Sequence, residues 1–166
     1  MISNIMILET LWIVGFCDGE ANFHIGINKN AQLALGYQVL LEFNVTQHLR
    51  SISVLSALKA YFGGGVIRRN KGKAAGSAVM IYRVRDFKQL SQIIVPFFEK
   101  HSLKTTKNVQ FLKWRDVVLM MQRREHLTEE GLDKIRKIRA ELEALEHDFQ
   151  LPTDLDIESF NKDESV

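Results

Sequence analysis

The chain has little of what would place it in several common protein classes. Its single cysteine, Cys17, excludes an internal disulfide and a cysteine-rich zinc site, and it indicates a reducing compartment. No apolar run approaches the roughly 20 residues that a membrane-spanning helix requires, so no membrane partner is expected. Phosphate-binding and dinucleotide-binding glycine motifs are absent, as is a Ser/His/Asp pattern.

The charges that the chain does carry are segregated along its length. Residues 21–115 contain 15 lysines and arginines against 3 acidic residues, whereas residues 116–166 contain 7 against 14. A basic block of this size predicts binding to a polyanion such as nucleic acid. The alternative is an unevenly charged interaction domain whose basic strip has no such partner.

Helical and strand periodicities alternate along the chain. They predict an α+β (mixed α/β) fold in one domain, residues 1–149, with a C-terminal helix over 128–149 and an acidic, flexible tail over 150–166. Asp86 is expected to cap a helix that Pro96 ends. In order, the predicted elements are a helix up to residue 20, strands 20–28 and 37–45, a helix 48–62, strands 66–70 and 77–84, and helices 86–95, about 105–122 and 128–149.

The predicted strands alternate between an apolar and a polar face. In the second strand Val39, Leu41, Phe43 and Val45 are expected to point inward, and Gln38, Leu40, Glu42 and Asn44 to point the other way. Asparagine and glutamine along one strand face are unusual for a merely solvated surface. Such a face is a candidate for contacts with a polar ligand.

Residues 12–23, WIVGFCDGEANF, carry the strongest motif of the chain. They predict an apolar helix that ends abruptly beside two acids, Asp18 and Glu20. Gly15 and Gly19 lie four residues apart, a spacing that lowers helix propensity but permits close approach of a second helix. A carboxylate at the seam between two helices suggests a metal ligand.

This segment resembles the signature of the LAGLIDADG homing endonucleases, in which a helix ending in G-F-x-D-G-[DE] supplies a catalytic acid. The resemblance extends over the αββαββα order of about residues 8–122. It implies a four-stranded antiparallel, saddle-shaped sheet on the DNA side and C-terminal helices. Only one copy of the signature is present, so the resemblance implies a homodimer with an interface at Trp12, Gly15, Phe16 and Gly19.

The resemblance also implies the residues of an active site. Glu20 is the expected catalytic acid, and Glu20 and Gly19 are the expected ligands of Mg²⁺, with Mn²⁺ or Ca²⁺ as alternative occupants. Gln47 resembles a glutamine that orders solvent near the cleaved phosphate. Lys104 and Lys107 resemble the basic stretch that supplies an active-site lysine; which of them does so stays open, with a slight preference for Lys104. Asp18 is expected to support rather than to ligate.

The implied partner is double-stranded DNA with a long, pseudo-palindromic site read in the major groove. Asn and Gln can pair bidentately with adenine, and Arg with guanine. The residues expected to contact DNA are Asn22, His24, Asn28, Gln38, Asn44, Arg50, Arg68, Asn70 and Arg83. For each of them a solvated strand or turn position is the competing interpretation.

The implied function is a site-specific, Mg²⁺-dependent DNA endonuclease of the intron-encoded homing class. It would hydrolyse both strands across the minor groove and leave 3′ overhangs. The alternative with the same fold is an RNA-binding intron maturase, or a DNA-binding protein that has lost cleavage. The host and the organelle or microbial compartment stay open.

Overall fold

A four-stranded antiparallel sheet carries helices on one face in the computed structural model, which describes residues 6–70 and 78–147. The predicted α+β fold and its element order are confirmed. The elements are α1 Thr10–Glu20, β1 Ala21–Lys29, β2 Tyr37–His48, a 3₁₀ turn Leu49–Ser51, α2 Ile52–Phe62, β3 Val66–Arg69, β4 Val79–Val84, α3 Phe87–Gln89, a π-helical turn Leu90–Ile94, α4 Val95–Lys100, α5 Lys107–Gln122, a 3₁₀ turn Glu125–Leu127, and α6 Glu129–His147.

The strands lie in the order β1-β2-β4-β3, and their register places the polar side chains in rows. Asn22 of β1 pairs with Asn44 of β2, and Asn44 pairs with Arg83 of β4. Directly opposite residues of antiparallel strands project from the same face. The predicted polar face is therefore present, and it lies opposite the helices.

The other face of the sheet packs on the helices through a cluster of aromatic rings. Phe23 and Phe43 lie 5.5 Å apart, measured between ring centroids, and both contact Phe98 of α4. Phe111 and Trp114 of α5 pack against Phe23 at 5.3 Å each. The four side chains of β2 that were predicted to point inward are all buried: Val39, Leu41, Phe43 and Val45.

The C-terminal helix α6 runs along the outer edge of β1. Leu142, Arg139 and Glu143 of α6 line a small surface cleft with residues 22–25 of β1. Thr128 caps the helix, since its Oγ1 accepts a hydrogen bond from the Gly131 N–H at 3.1 Å. The predicted tail over 150–166 lies outside the described residues.

The prediction that Pro96 ends its helix is wrong. Asp86 does cap the helix, accepting a hydrogen bond from the Gln89 N–H at 2.8 Å, but the helix continues through Pro96 to Lys100. The preceding turn is π-helical, and the Val95 N–H donates to the Leu90 carbonyl five residues back. Proline lacks an N–H, so it is tolerated where the hydrogen-bond register shifts and a new helical segment begins. No helix in the described part of the chain is long and apolar enough to cross a membrane.

A glycine turn joins α2 to β3 and brings β3 back against β4. Gly63 ends α2 in the left-handed conformation at φ 76°, and Gly65 follows at φ 80°. A Cβ at Gly63 would meet no atom within 4 Å. A Cβ at Gly65 would lie 2.7 Å from both the Arg83 carbonyl oxygen and the Tyr82 ring.

These two glycines give a matched test of the turn. Gly63→Ala is expected to lower the free energy of unfolding by about 1–2 kcal/mol, because only the left-handed backbone is strained. Gly65→Ala is expected to cost about 1–3 kcal/mol more, since β4 has to move to admit the methyl group. Urea denaturation of both variants measures the difference. Equal losses would show that the contact between Gly65 and β4 does not constrain the sheet.

Candidate functional site

One side of helix α1 is buried against the rest of the chain, and the opposite side, called here the open face, is not covered by it. Ile13 and Cys17 are fully buried against the sheet, and burial, helped by the adjacent charge of Asp18, raises the pKa of the Cys17 thiol to about 12. On the other side, a Cβ added at Gly15 or Gly19 would meet nothing within 4 Å. The same side carries Trp12, 44% exposed, whose ring stacks on the ring of Phe16 at 4.7 Å between centroids. The residues predicted to form an interface thus share one uncovered face.

Glu20 lies at the junction between this helix and the sheet. It is the last residue of α1, and Ala21, opposite Val45, is the first residue of β1. The Glu20 side chain is exposed and has no hydrogen-bond or ion-pair partner among residues 6–70 and 78–147. The carboxylate is therefore available at the point where the open face of α1 meets the polar face of the sheet.

Asp18, two residues earlier, is fully engaged. Its carboxylate accepts hydrogen bonds from the Lys104 N–H at 2.8 Å, the Thr105 N–H at 3.2 Å and the Thr105 hydroxyl at 2.7 Å. Burial of the group would raise its pKa, but these bonds and the nearby charge of Lys107 bring the pKa of Asp18 below its usual value. Asp18 thus fastens the basic loop that precedes α5 to the end of α1, in the supporting role expected for it.

The loop that Asp18 holds contains both candidate lysines. Lys104 is exposed and Lys107, the first residue of α5, is half-buried. The main-chain N–H of Lys104 donates a hydrogen bond to Asp18, whereas the charge of Lys107 lowers the pKa of Asp18. Both lysines belong to the end of the molecule where Glu20 lies. The choice between them as active-site lysine stays a prediction.

Gln47 and Arg50 lie near the far end of β2. Gln47 is half-buried and pairs with Met80 of β4; it is within β2, which runs three residues further than the predicted strand. Arg50 is exposed in the following 3₁₀ turn, where its N–H donates to Nδ1 of His48 at 3.2 Å. Because Val45 pairs with Ala21, the C-terminal end of β2 lies beside the point where α1 ends and β1 begins.

The residues predicted to contact DNA from the strands all belong to the polar face. Their register shows this, since Asn28 pairs with Gln38 and Arg68 with Ile81, which is two residues from Arg83 on β4. Most of these side chains are exposed: Asn22, His24, Asn28, Gln38 and Arg68. Asn70 and Arg83 are half-buried, and Asn44 is buried.

The end of α1 fits a hard cation. Glu20 offers a free carboxylate, and Gly19 can offer its main-chain carbonyl, one of the last four of the helix, which have no partner within the helix. Oxygen donors of this kind suit Mg²⁺ and Ca²⁺. Within the described residues no group of three His, Cys, Asp or Glu side chains is placed to hold a metal ion.

Comparison with known proteins gives a direct match to this arrangement. The sequence pattern of the LAGLIDADG endonucleases matches residues 13–118, which include α1 from its fourth residue onward and all four strands. The chain belongs to the LAGLIDADG endonuclease family.

Solved structures of LAGLIDADG endonucleases share the fold. The homing endonuclease I-TnaI has 48% sequence identity and a TM-score of 0.77, over 82% of this chain and 88% of that chain. I-SmaMI, bound to an uncleaved DNA target in the presence of calcium ions, has 30% identity and a TM-score of 0.77, over 84% of this chain and 46% of its own.

A longer relative is the probable intron-encoded endonuclease 3 of Neurospora crassa. It is 34% identical over 128 residues, which are 77% of this chain. The chain spans only 23% of the length of that relative.

Three residues of this LAGLIDADG chain had no role predicted for them from the sequence. Thr105 donates to Asp18, and Glu42 and Arg85 form an ion pair on the polar face. One signal for Glu42 was present, because it is one of only 3 acids in residues 21–115. Thr105 and Arg85 had no comparable signal, since their partners lie 87 and 43 residues away.

The lowered pKa of Asp18 predicts an acid-dependent contribution to stability. Asn at this position loses the charge, so Asp18→Asn should be less stable than the wild type at pH 7. A depressed carboxyl pKa stabilises the fold above the unfolded value of about 4 and ceases to do so as the pH falls through the folded value. The difference in Tm between the two proteins should therefore shrink below about pH 4.

Thermal unfolding followed by circular dichroism from pH 7 to pH 2.5 measures this difference. Asp133→Asn, at an exposed i,i+3 pair with Arg136 on α6, is the control and should change the Tm little at any pH. A Tm difference for Asp18→Asn that stays constant down to pH 2.5 would contradict the assigned role of the charge.

Proposed function

We propose that this chain is a site-specific double-strand DNA endonuclease that acts as a homodimer and depends on Mg²⁺. The observation that carries the proposal is the unpartnered Glu20 carboxylate, placed where the open face of α1 meets the polar face of the sheet. Membership of the LAGLIDADG endonuclease family and the DNA-bound structures of I-SmaMI support it.

The homodimer is proposed from the open face of α1. A second α1 packed on Gly15 and Gly19 can approach closely, because neither glycine presents a side chain. The two-fold axis of such a dimer brings both Glu20 side chains together, as cutting two strands requires. The other possible source of a second α1 is a further segment of a longer chain, as the length of the Neurospora relative illustrates.

In the proposed site Glu20 and the Gly19 carbonyl would hold the metal. When bound, the metal would lower the pKa of an attacking water and stabilise the leaving oxygen. The C-terminus of α1 carries partial negative charge, which favours a cation at this point. Gln47 is assigned to orient solvent, and Lys104 or Lys107 to contact phosphate beside the cut.

The DNA is proposed to lie along the polar face. Base contacts are assigned to Asn22, His24, Asn28, Gln38, Arg68, Asn70 and Arg83, and a phosphate contact to Arg50. The basic charge of residues 21–115 supplies the attraction, so binding should weaken steeply with salt. Cleavage across the minor groove with 3′ overhangs completes the proposal.

Replacement of the catalytic acid tests the proposed chemistry. The protein is incubated with a library of target plasmids in Mg²⁺ or in EDTA, and the new DNA ends are sequenced. Wild type is expected to cut one site in Mg²⁺ only. Glu20→Gln should cut at least about 100-fold more slowly, because a metal ligand is lost, while still binding the target.

Glu9→Gln, an exposed acid that precedes α1, is the matched control and should cut at the wild-type rate. Cleavage that persists in Glu20→Gln would contradict the assignment of the acid. Binding without cleavage by wild type in Mg²⁺, Mn²⁺ or Ca²⁺ would instead indicate a cleavage-deficient DNA-binding protein. Preference for structured RNA over duplex DNA would favour the maturase.

The proposed interface predicts opposite effects of Gly15→Ala on folding and on assembly. The new methyl group meets no atom of the same chain, and alanine favours helix by roughly 1 kcal/mol over glycine, so the subunit should become more stable. The same methyl group should hold two α1 helices apart and weaken the dimer. Urea unfolding and sedimentation equilibrium measure the two effects.

Ser56→Ala, an exposed site on α2, is the control because it alters helix propensity without touching α1. It should leave assembly unchanged. A strictly monomeric wild-type protein that still makes double-strand breaks would rule out the two-subunit site.

A further inference from the structure

An acid lies at the centre of the basic polar face. Glu42 of β2 is only 5% exposed, although it is on the face that points away from the helices. Its Oε2 accepts a hydrogen bond from Nδ2 of Asn44 at 2.9 Å and lies 3.3 Å from Nε of Arg83. Its Oε1 accepts a hydrogen bond from Nε of Arg85 and forms an ion pair with Nη2 of the same residue. Both carboxylate oxygens are therefore occupied within the chain.

The network keeps Glu42 charged. Burial would raise its pKa, but the hydrogen bonds from Asn44 and Arg85 and the charges of Arg83 and Arg85 hold the pKa of Glu42 below its usual range. One carboxylate with two guanidinium groups leaves the cluster net positive. A DNA-facing surface can thus contain this acid without repelling phosphate.

Asn44 is committed to the same network. Its Nδ2 donates to Glu42, and its Oδ1 accepts from Nε of Arg83 at 3.1 Å. The opposite orientation of the amide would set two donors against each other at Arg83. Bidentate pairing with adenine needs both ends of an amide, so Asn44 is poorly placed for the base contact predicted from the sequence.

Arg83 has a different set of free groups. Nε is bonded to Asn44, but the two terminal nitrogens make no hydrogen bond within the described part of the chain. The side chain is 26% exposed and lies in the row Asn22, Asn44, Arg83, which crosses strands β1, β2 and β4. The guanidinium group is thus held at Nε, while its two terminal nitrogens remain available as donors.

We infer that Glu42 is a positioning residue that holds Arg83 ready to read one guanine of the DNA target, with Asn44 and Arg85 as its supports. Guanine presents two acceptors, N7 and O6, to the major groove, which match the two terminal nitrogens of the fork. Adenine replaces one acceptor with an amino donor, which an arginine cannot pair with. Fixing the side chain before binding removes the entropy loss that a free arginine would incur. The inference rests on the proposed DNA-binding function and assigns one element of its specificity.

Selection from a randomised duplex library tests the inference without requiring cleavage. Protein and library are mixed in EDTA, and bound duplexes are recovered and sequenced for wild type and each variant. Wild type should show a position at which guanine is enriched about 10-fold or more over the other bases. Arg83→Lys keeps the charge but not the planar fork, so it should flatten that position and leave the others unchanged.

Glu42→Gln separates positioning from general stability. It should reduce the guanine enrichment at the same position by about 3-fold or more, because the neutral amide holds the guanidinium less firmly. Loss of folding would lower total recovery and flatten all positions together. The matched controls are Arg115→Lys and Glu99→Gln, an ion pair between α5 and α4, and neither should alter any position.

The possible results distinguish failure of this inference from failure of the proposed DNA-binding function. No DNA recovered by wild type would overturn both. A recovered sequence with no guanine position sensitive to Arg83→Lys would overturn the inference alone. If Glu42→Gln does not fold, the Arg83→Lys profile still tests whether Arg83 reads the guanine. Asn44→Ala, which removes the other side chain bonded to Nε of Arg83, then tests whether the network positions Arg83. An unchanged guanine position in that variant would overturn it.

Discussion

Helix α1 passes into strand β1 with no residue between them, and this junction positions the whole candidate site. Glu20 ends the helix and Ala21 begins the strand, so the carboxylate lies where the open helix face meets the polar sheet face. Pairing of Ala21 with Val45 then sets the register of the first two strands. One inserted residue would turn every side chain of β1 to the opposite face and separate the acid from the polar rows of the sheet.

The two acids of the junction differ in role because their surroundings differ. Asp18 accepts hydrogen bonds from Lys104 and Thr105, which satisfy the carboxylate and hold it ionised. Glu20, two residues later, has no such partner in the described part of the chain. A carboxylate whose lone pairs are occupied can brace a loop, whereas one that is open can take a cation. The brace also brings basic residues to the end of the molecule where the open acid lies.

Local patterns were sufficient for the order of helices and strands, and the family resemblance supplied the four-stranded sheet and the position of Glu20. Two-residue alternation identified the buried face of β2, and the glycine and acid spacing identified the end of α1. The sequence could not show that Asn44 faces an acid on its own strand and an arginine 39 residues away. It also could not show the π-helical turn that lets Pro96 continue a helix, because the hydrogen-bond register depends on how Leu90 and Ile94 pack. Predicting hydrogen bonds between strands that are distant in sequence requires the register of strand pairing, and single residue positions do not determine that register.

The proposed dependence on a cation follows from helix packing as well as from ligand chemistry. In the proposed homodimer the open faces of two α1 helices meet, and each helix ends at its own Glu20. Two carboxylates and the negative ends of two helix dipoles then converge beside the phosphates of the DNA. Like charges so placed repel one another and the substrate, unless cations lie between them. In this proposal the glycines that permit close packing also bring the negative charges together, and a divalent metal would reduce their repulsion.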